Sequence, residues 1–170
     1  ENLNYDRIFL PLDGSTRAEC VLPLAKSISR EQKSRVFLTH IIEEPRLPQK
    51  TPLSNENKKL LEELNQINTK EAEVYLSEIK SQFLNENTEI IISSSKHTAA
   101  TMHNIIDREK VDLVILSAHG QSGENKWPYG RIALNFIVFG SAPLIIIQDL
   151  TENDFGKTLA GKNAEQSKGH

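Results

Sequence analysis

Residues 111–120 read VDLVILSAHG, and residues 129–147 read YGRIALNFIVFGSAPLIII. The first stretch is an apolar run that ends at Ser117, which predicts a buried strand feeding a loop that carries Gly120. Nine residues separate Gly120 from Gly130, and Gly130 opens a segment with helical spacing. Glycine lets main chain approach a ligand closely. The first turn of a helix presents N–H groups without intrahelical partners, backed by the helix dipole. A strand, a glycine-bearing loop and a helix start in that order predict a phosphate-bearing ligand.

The same alternation runs through the chain before this stretch. RIFLPL (7–12) is a short apolar strand closed by Asp13-Gly14-Ser15, with Ser15 placed to cap the next helix. That helix carries Ala18, Val21, Leu22, Ala25 and Ile28 on one face, and Pro23 predicts a kink within it. VFLTHII (36–42) is a second strand, followed by a loop over 43–55 containing Pro45, Pro48 and Pro52. A long helix is predicted over 56–83. Its apolar positions are Leu60, Leu64 and Ile67, then Ala72, Tyr75, Leu76, Ile79 and Phe83, and its many Glu and Lys residues form a solvated face. A strand at 89–92, a helix marked by Ala99, Met102, Ile105 and Ile106, a strand at 113–116, a helix at 130–139 and the strand APLIII (142–147) complete the pattern.

Strands that are apolar throughout, separated by amphipathic helices, imply an α/β fold with a parallel sheet covered on both faces. Right-handed crossovers make that sheet doubly wound. Ligands of such sheets sit beyond the carboxyl ends of the strands, where the strand order reverses. Asp13, Ile41 and 117–120 all fall at those ends. The expected organisation is a single domain over 1–148 and a polar, aperiodic tail or linker over 149–170.

Composition narrows the function. The 170 residues carry 20 Lys and Arg against 23 Asp and Glu, a formal charge of -3, which gives no basic field to hold nucleic acid. The single cysteine, Cys20, excludes an internal disulfide and a multi-cysteine zinc site, and its place on the apolar helix face predicts a packed thiol. No apolar run approaches the ~20 residues of a membrane span. With no visible signal peptide, a cytoplasmic location is expected. His40, on a buried strand, is expected to be a satisfied core histidine and His119 a loop-orienting group. His97 and His103 lack carboxylate or cysteine partners at metal-ligand spacing, so no metal site is expected.

LPLDGS at the first strand, THII at the second and LVILSAHG…YGRIALNFIVFGSAPLIII at the end together resemble the universal stress protein family, a likeness running from about residue 6 to residue 148. The resemblance implies a five-stranded sheet in the order 3-2-1-4-5, dimers that pair their fifth strands, and in one subset ATP in the cleft. The family's nucleotide motif is G-x-x-G, nine residues, then G followed by Ser or Thr. Here it reads Ser117-x-x-Gly120, nine residues, Gly130-Arg131: the spacing matches and two residue types depart. Carried over by position, Asp13 would accept the ribose hydroxyls. Pro11 and Leu12 would flank the nucleoside, Ile41 would contact adenine, and Leu116 would belong to the same nucleotide site. Gly120 would let main chain meet the phosphates, and Gly130 with the N–H groups of Arg131 and Ile132 would receive the last of them. Ser117 is small enough to narrow the site rather than block it. Arg131 can supply charge-assisted bonds to phosphate oxygens in place of the lost hydroxyl, or swing away and leave only the backbone donors.

The resulting expectation is a regulatory module that binds ATP (or ADP or AMP, with or without Mg²⁺), changes the order of loop 121–129, and signals to an unidentified downstream protein. Trp127, Pro128 and Tyr129 are expected to anchor that loop. No enzyme is expected beyond slow hydrolysis: the chain has no complete Walker A string, and nothing marks Glu124 of the loop as a base. An ATP pyrophosphatase is disfavoured because Asp13 stands where its phosphate loop would be. The alternative is a dimer that has lost the nucleotide and serves as a protein-interaction module. In either case the apolar edge strand 142–147 predicts a two-fold homodimer.

Overall fold

The computed structural model describes residues 4–45, 53–84, 87–121 and 129–148. Five strands, β1 (Arg7–Pro11), β2 (Arg35–Glu43), β3 (Thr88–Ser95), β4 (Leu113–Ser117) and β5 (Leu144–Ile147), form one parallel sheet in the order β3-β2-β1-β4-β5. The helices between them are α1 (Thr16–Glu19), α2 (Leu22–Gln32), α3 (Asn55–Lys80), α4 (Thr98–Glu109) and α5 (Arg131–Phe139). The expected α/β class and strand order are both found.

Successive side chains of a strand point to opposite faces, so the central strands feed two cores. Ile8, Leu10 and Leu12, with Val36, Leu38, Leu113 and Ile115, pack under α1, α2 and the end of α3. Phe9, Phe37, Val114 and Leu116 pack with Met102, Ile105 and Ile106 of α4 and Ala133 and Phe136 of α5. Burial on both faces is why these strands read as unbroken apolar runs. It also places the strand ends of β1 and β4 side by side where the winding reverses.

Among the boundaries that differ from those read in the sequence, three have a plain physical cause. The helix after β1 is broken rather than kinked: α1 ends at Glu19, and Pro23 sits in the first turn of α2, where a missing N–H leaves no bond unmade. Cys20 caps the end of α1, half-buried against the first core. Strand β3 runs on through three serines to Ser95, paired along its length with β2, a polar edge that apolar patterning cannot reveal. Strand β5 starts at Leu144, because Pro143 has no N–H to give the ladder, although its carbonyl accepts from Val114 N–H at 2.9 Å.

Helix α3 spans 26 residues, but its buried residues are Ala72, Leu76 and Ile79. The earlier apolar positions do not reach the core. Leu60, Leu64 and Ile67 are exposed. The tail 149–170 and the loop residues 122–128, including Glu124, Trp127 and Pro128, lie outside the described residues.

Candidate functional site

A cleft of about 610 Å³ opens at the carboxyl ends of β1, β2 and β4, within the size range of small-ligand sites. Pro11, Leu12 and Asp13 after β1, Ile41 on β2, Leu116 and Ser117 on β4, Gly120, Gly130, Arg131 and Ile132 all line it. Every residue assigned to the nucleotide site from the sequence therefore lines one cleft. A smaller recess of about 350 Å³ beside Lys26 and Gln82 has neither a strand end nor a glycine loop.

The floor is made of main chain held in register past the ends of the strands. Leu12 N–H donates to Thr39 carbonyl at 2.9 Å, and Leu12 carbonyl accepts from His40 Nδ1 at 2.8 Å. A carbonyl only accepts, so Nδ1 carries the hydrogen and fixes the ring beside the cleft. The sequence suggested a core histidine; His40 is satisfied, but it lines the site.

Asp13 joins the two sides of the cleft. One carboxylate oxygen accepts from Ser15 N–H at 3.0 Å and from Ser15 Oγ at 2.6 Å. The other accepts from Gln121 N–H at 2.7 Å. Ser15 Oγ in turn accepts from Ala18 N–H at 3.1 Å and so caps α1 as expected. The turn between them needs Gly14, whose φ of +80° is costly for other residues. Gly120 is needed for a different reason. A Cβ there would stand 2.3 Å from the Asp13 carboxylate, so glycine at 120 makes room for the acid.

The two ends of the loop are clasped together. Gly130 N–H donates to Ala118 carbonyl at 2.7 Å, and Ala118 N–H donates to Ile147 carbonyl at 2.7 Å. The Gly130 amide, assigned to a phosphate from the motif, is thus already bonded. The first-turn amides of α5 that follow it start a helix whose N-cap, Gly130, supplies no side chain to cap them. Such a start is suited to an anion.

Both departures from the family motif have visible roles. Ser117 Oγ donates to the carbonyl of His119 and fixes the loop from within. Arg131 Nη2 lies 3.7 Å from Glu43 Oε2, and these side chains are 74% and 52% exposed. An exposed pair of this kind is worth about 0–1 kcal/mol, so the guanidinium stands at the rim without plugging the hollow. His119 is buried at the loop base, and Tyr129 packs against the second core, as an anchor would.

The opposite wall was not legible. Asn68, Glu71, Ala72 and Tyr75 of α3 and Thr98 and Met102 of α4 complete the lining. Tyr75 OH donates to Glu19 Oε1 at 3.4 Å, linking this wall to α1. Burial pushes the Tyr75 phenol well above its ordinary range; the charges of Glu19 and Asp13 push the same way, against a backbone hydrogen bond from Gly14. Residues 68, 71, 72 and 75 share one helix face by spacing, a signal that interrupts the leucine stripe with polar, small and aromatic side chains.

His97 lies at the exposed start of α4, and His103 Nε2 meets Asn135 Oδ1 at 2.8 Å between α4 and α5. Among the described residues no group of three or more His, Cys, Asp or Glu could hold a metal ion, and no helix is long and apolar enough to cross a membrane. In the tail, Gly156-Lys157-Thr158 repeats the end of a Walker A string. Thr151 stands where its first glycine belongs, and the segment lies outside the described residues.

This geometry defines a class: doubly wound α/β proteins with a ligand-sized cleft across the β1–β4 reversal. The chain belongs to the universal stress protein family, whose model matches residues 4–147. Universal stress protein MJ0577 of Methanocaldococcus jannaschii is 24% identical over 156 residues, covering 85% of this chain and 95% of that protein. The solved structure of MJ0577 matches with a TM-score of 0.74 and 22% identity over 88% of this chain and 100% of its own. A universal stress protein in complex with cAMP shares the fold at a TM-score of 0.56 and 13% identity, over 85% of this chain and 98% of that one. A family protein of Arabidopsis thaliana with AMP bound does so at 0.58 and 10% identity, over 87% of this chain and 94% of that one.

Proposed function

We propose that the chain is a cytoplasmic, adenine-nucleotide-binding regulatory module that takes ATP, ADP or AMP in the β1–β4 cleft. One observation carries the reading: Asp13, Gly120 and the uncapped start of α5 converge on a single cleft of about 610 Å³. In this reading adenine lies against Ile41 and Leu116, the ribose at Asp13 beside Pro11 and Leu12, and the phosphates at Gly120 and the amides of Arg131 and Ile132. Any Mg²⁺ enters with the phosphates. The relatives solved with AMP and with cAMP support an adenylate as the ligand class.

Asp13 sets a condition on binding. A carboxylate offers about four lone-pair sites, and three donors already use them. One ribose hydroxyl fits without rearrangement, and a second displaces Gln121 N–H. Binding is thereby coupled to the start of the loop, which is what a regulatory module requires. Two of the three acids lining the cleft are already engaged, which supports a non-catalytic role: Asp13 is committed to hydrogen bonds and Glu43 faces Arg131.

The prior claims on Asp13 and on the Gly130 amide also favour a second reading, a family member that no longer takes nucleotide and works through protein contacts. Thermal unfolding with ATP, ADP and AMP separates the two. Ligand at a hundred times its dissociation constant adds about 2.7 kcal/mol of stability. A shift with any of the three supports the first reading; none at millimolar concentrations selects the second.

Under either reading we propose a homodimer through β5. That strand pairs on one side with β4, and the neighbouring α5 leaves Leu134, Ile137, Val138 and Phe139 exposed. A half-buried edge strand beside such a patch is a self-pairing surface. Light scattering at about 50 μM, above ordinary interface dissociation constants, should give at least twice the chain mass; a monomer there refutes it.

A further inference from the structure

From its first turn to Val74, α3 carries an apolar seam that the other described residues leave uncovered. Asn57, Leu60, Leu64, Ile67, Glu71 and Val74 follow one another at intervals of 3, 4, 3, 4 and 3, the a and d spacing of a coiled coil. Four of them are large apolar side chains in the open: Leu60 is 62% exposed, Leu64 47%, Ile67 57% and Val74 57%. The helix is held to the sheet by a different face, that of Ala72, Leu76 and Ile79. At 3.6 residues per turn the seam is rotated from that face by about a third of a turn. It therefore looks outward along the helix.

We propose that this seam pairs with the same seam of a second copy of the chain, antiparallel, as a two-helix coiled coil distinct from the β5 contact. The flanking charges choose both partner and direction. In an antiparallel pair centred between Leu64 and Ile67, Leu64 of one copy faces Ile67 of the other, and Asn57 faces Val74. Glu63 then lies beside Lys70 of the second copy, and by the two-fold this ion pair occurs twice. A parallel pair would instead stack Glu71 on Glu71. The antiparallel one sets each Glu71 against Leu60 at the cleft mouth, where its carboxylate reaches water. Glu71 belongs to both the seam and the cleft wall, but none of the substitutions that test the pairing touches a residue lining the cleft.

Disulfide trapping tests it on the full chain with Cys20→Ala as background. Residues 57 and 74 are separated by about 25 Å along one helix, far beyond disulfide reach, so a bond between them joins two chains. Asn57→Cys/Val74→Cys should cross-link on mild oxidation at about 100 μM, whereas Val74→Cys alone should not. Glu63→Lys and Lys70→Glu should each slow the trapping by about two- to fivefold per ion pair lost, and the double reversal should restore it. Leu64→Glu/Ile67→Glu, both at exposed positions, should keep the circular dichroism of the parent and lower the mass of the largest sedimenting species. Cross-linking of Val74→Cys alone, no cross-linking of the double variant, failure of the reversal to restore, or an unchanged mass for Leu64→Glu/Ile67→Glu would each overturn the pairing. In the last case the stripe belongs to another partner or to another segment of this chain.

Discussion

The two walls of the cleft are built on different principles. The strand-end wall is main chain: carbonyls and amides of Leu12, Ala118, Gly130 and Gln121 in fixed hydrogen bonds, with one acid, Asp13, drawing the two sides together. The helix wall is side chain: Asn68, Glu71, Ala72 and Tyr75 of α3 and Thr98 and Met102 of α4, standing on helices whose rotation sets what the cleft meets. Backbone walls recognise what all nucleotides share, a ribose and phosphates. Side-chain walls discriminate among bases and can change without disturbing the fold.

Asp13→Ala should do the greatest damage, since it removes the group that serves both sides. It should weaken nucleotide binding by roughly 1.5–3 kcal/mol, the range for hydrogen bonds to a charged group, while leaving any affinity for free adenine unchanged in calorimetry. Equal losses for nucleotide and free base would mean that the acid only holds the wall together.

Tyr75→Phe tests the helix wall. Loss of its long bond to buried Glu19 should cost about 1 kcal/mol in urea unfolding, with the strand-end wall intact. The linkage has a definite sign. A phenol raised above its ordinary value of 10.0 stabilises the fold fully below that pH. The contribution is lost as pH rises from there through the folded value, because the unfolded chain sheds the proton first. Unfolding midpoints followed above pH 10 should fall more steeply in the parent than in Tyr75→Phe; parallel curves would remove Tyr75 from the account.

The strand-end wall was legible because its signals are local. Apolar runs mark β1, β2 and β4, and Asp13, Gly120 and Gly130 fall directly at their ends, so counting along the chain finds them. The reason for Gly120 was not legible, since the atom it makes room for belongs to Asp13, 107 positions earlier. Nor was the commitment of the Gly130 amide to Ala118, a bond closed only when the loop folds back. The helix wall stayed hidden because periodicity reports that a face exists without saying what it faces. On α3 the leucines at 60 and 64 signal burial more strongly than Asn68 or Glu71, yet the leucines are exposed and the polar pair lines the site.

Arg131→Ser should have the smallest effect. The exposed pair with Glu43 contributes about 0–1 kcal/mol, so stability should change within that range and ATP binding should persist on the α5 amides. A large loss of affinity for ATP with AMP binding intact would show that the guanidinium has become a phosphate ligand.

The most direct measurement is isothermal titration of the full chain with ATP and with AMP, beside Gly120→Ala, whose new methyl group must push the Asp13 carboxylate out of place. The account predicts one adenylate per chain for the parent and a weakening of about 1.5–3 kcal/mol in the variant. Absence of binding in the parent, or undiminished affinity in Gly120→Ala, would contradict it.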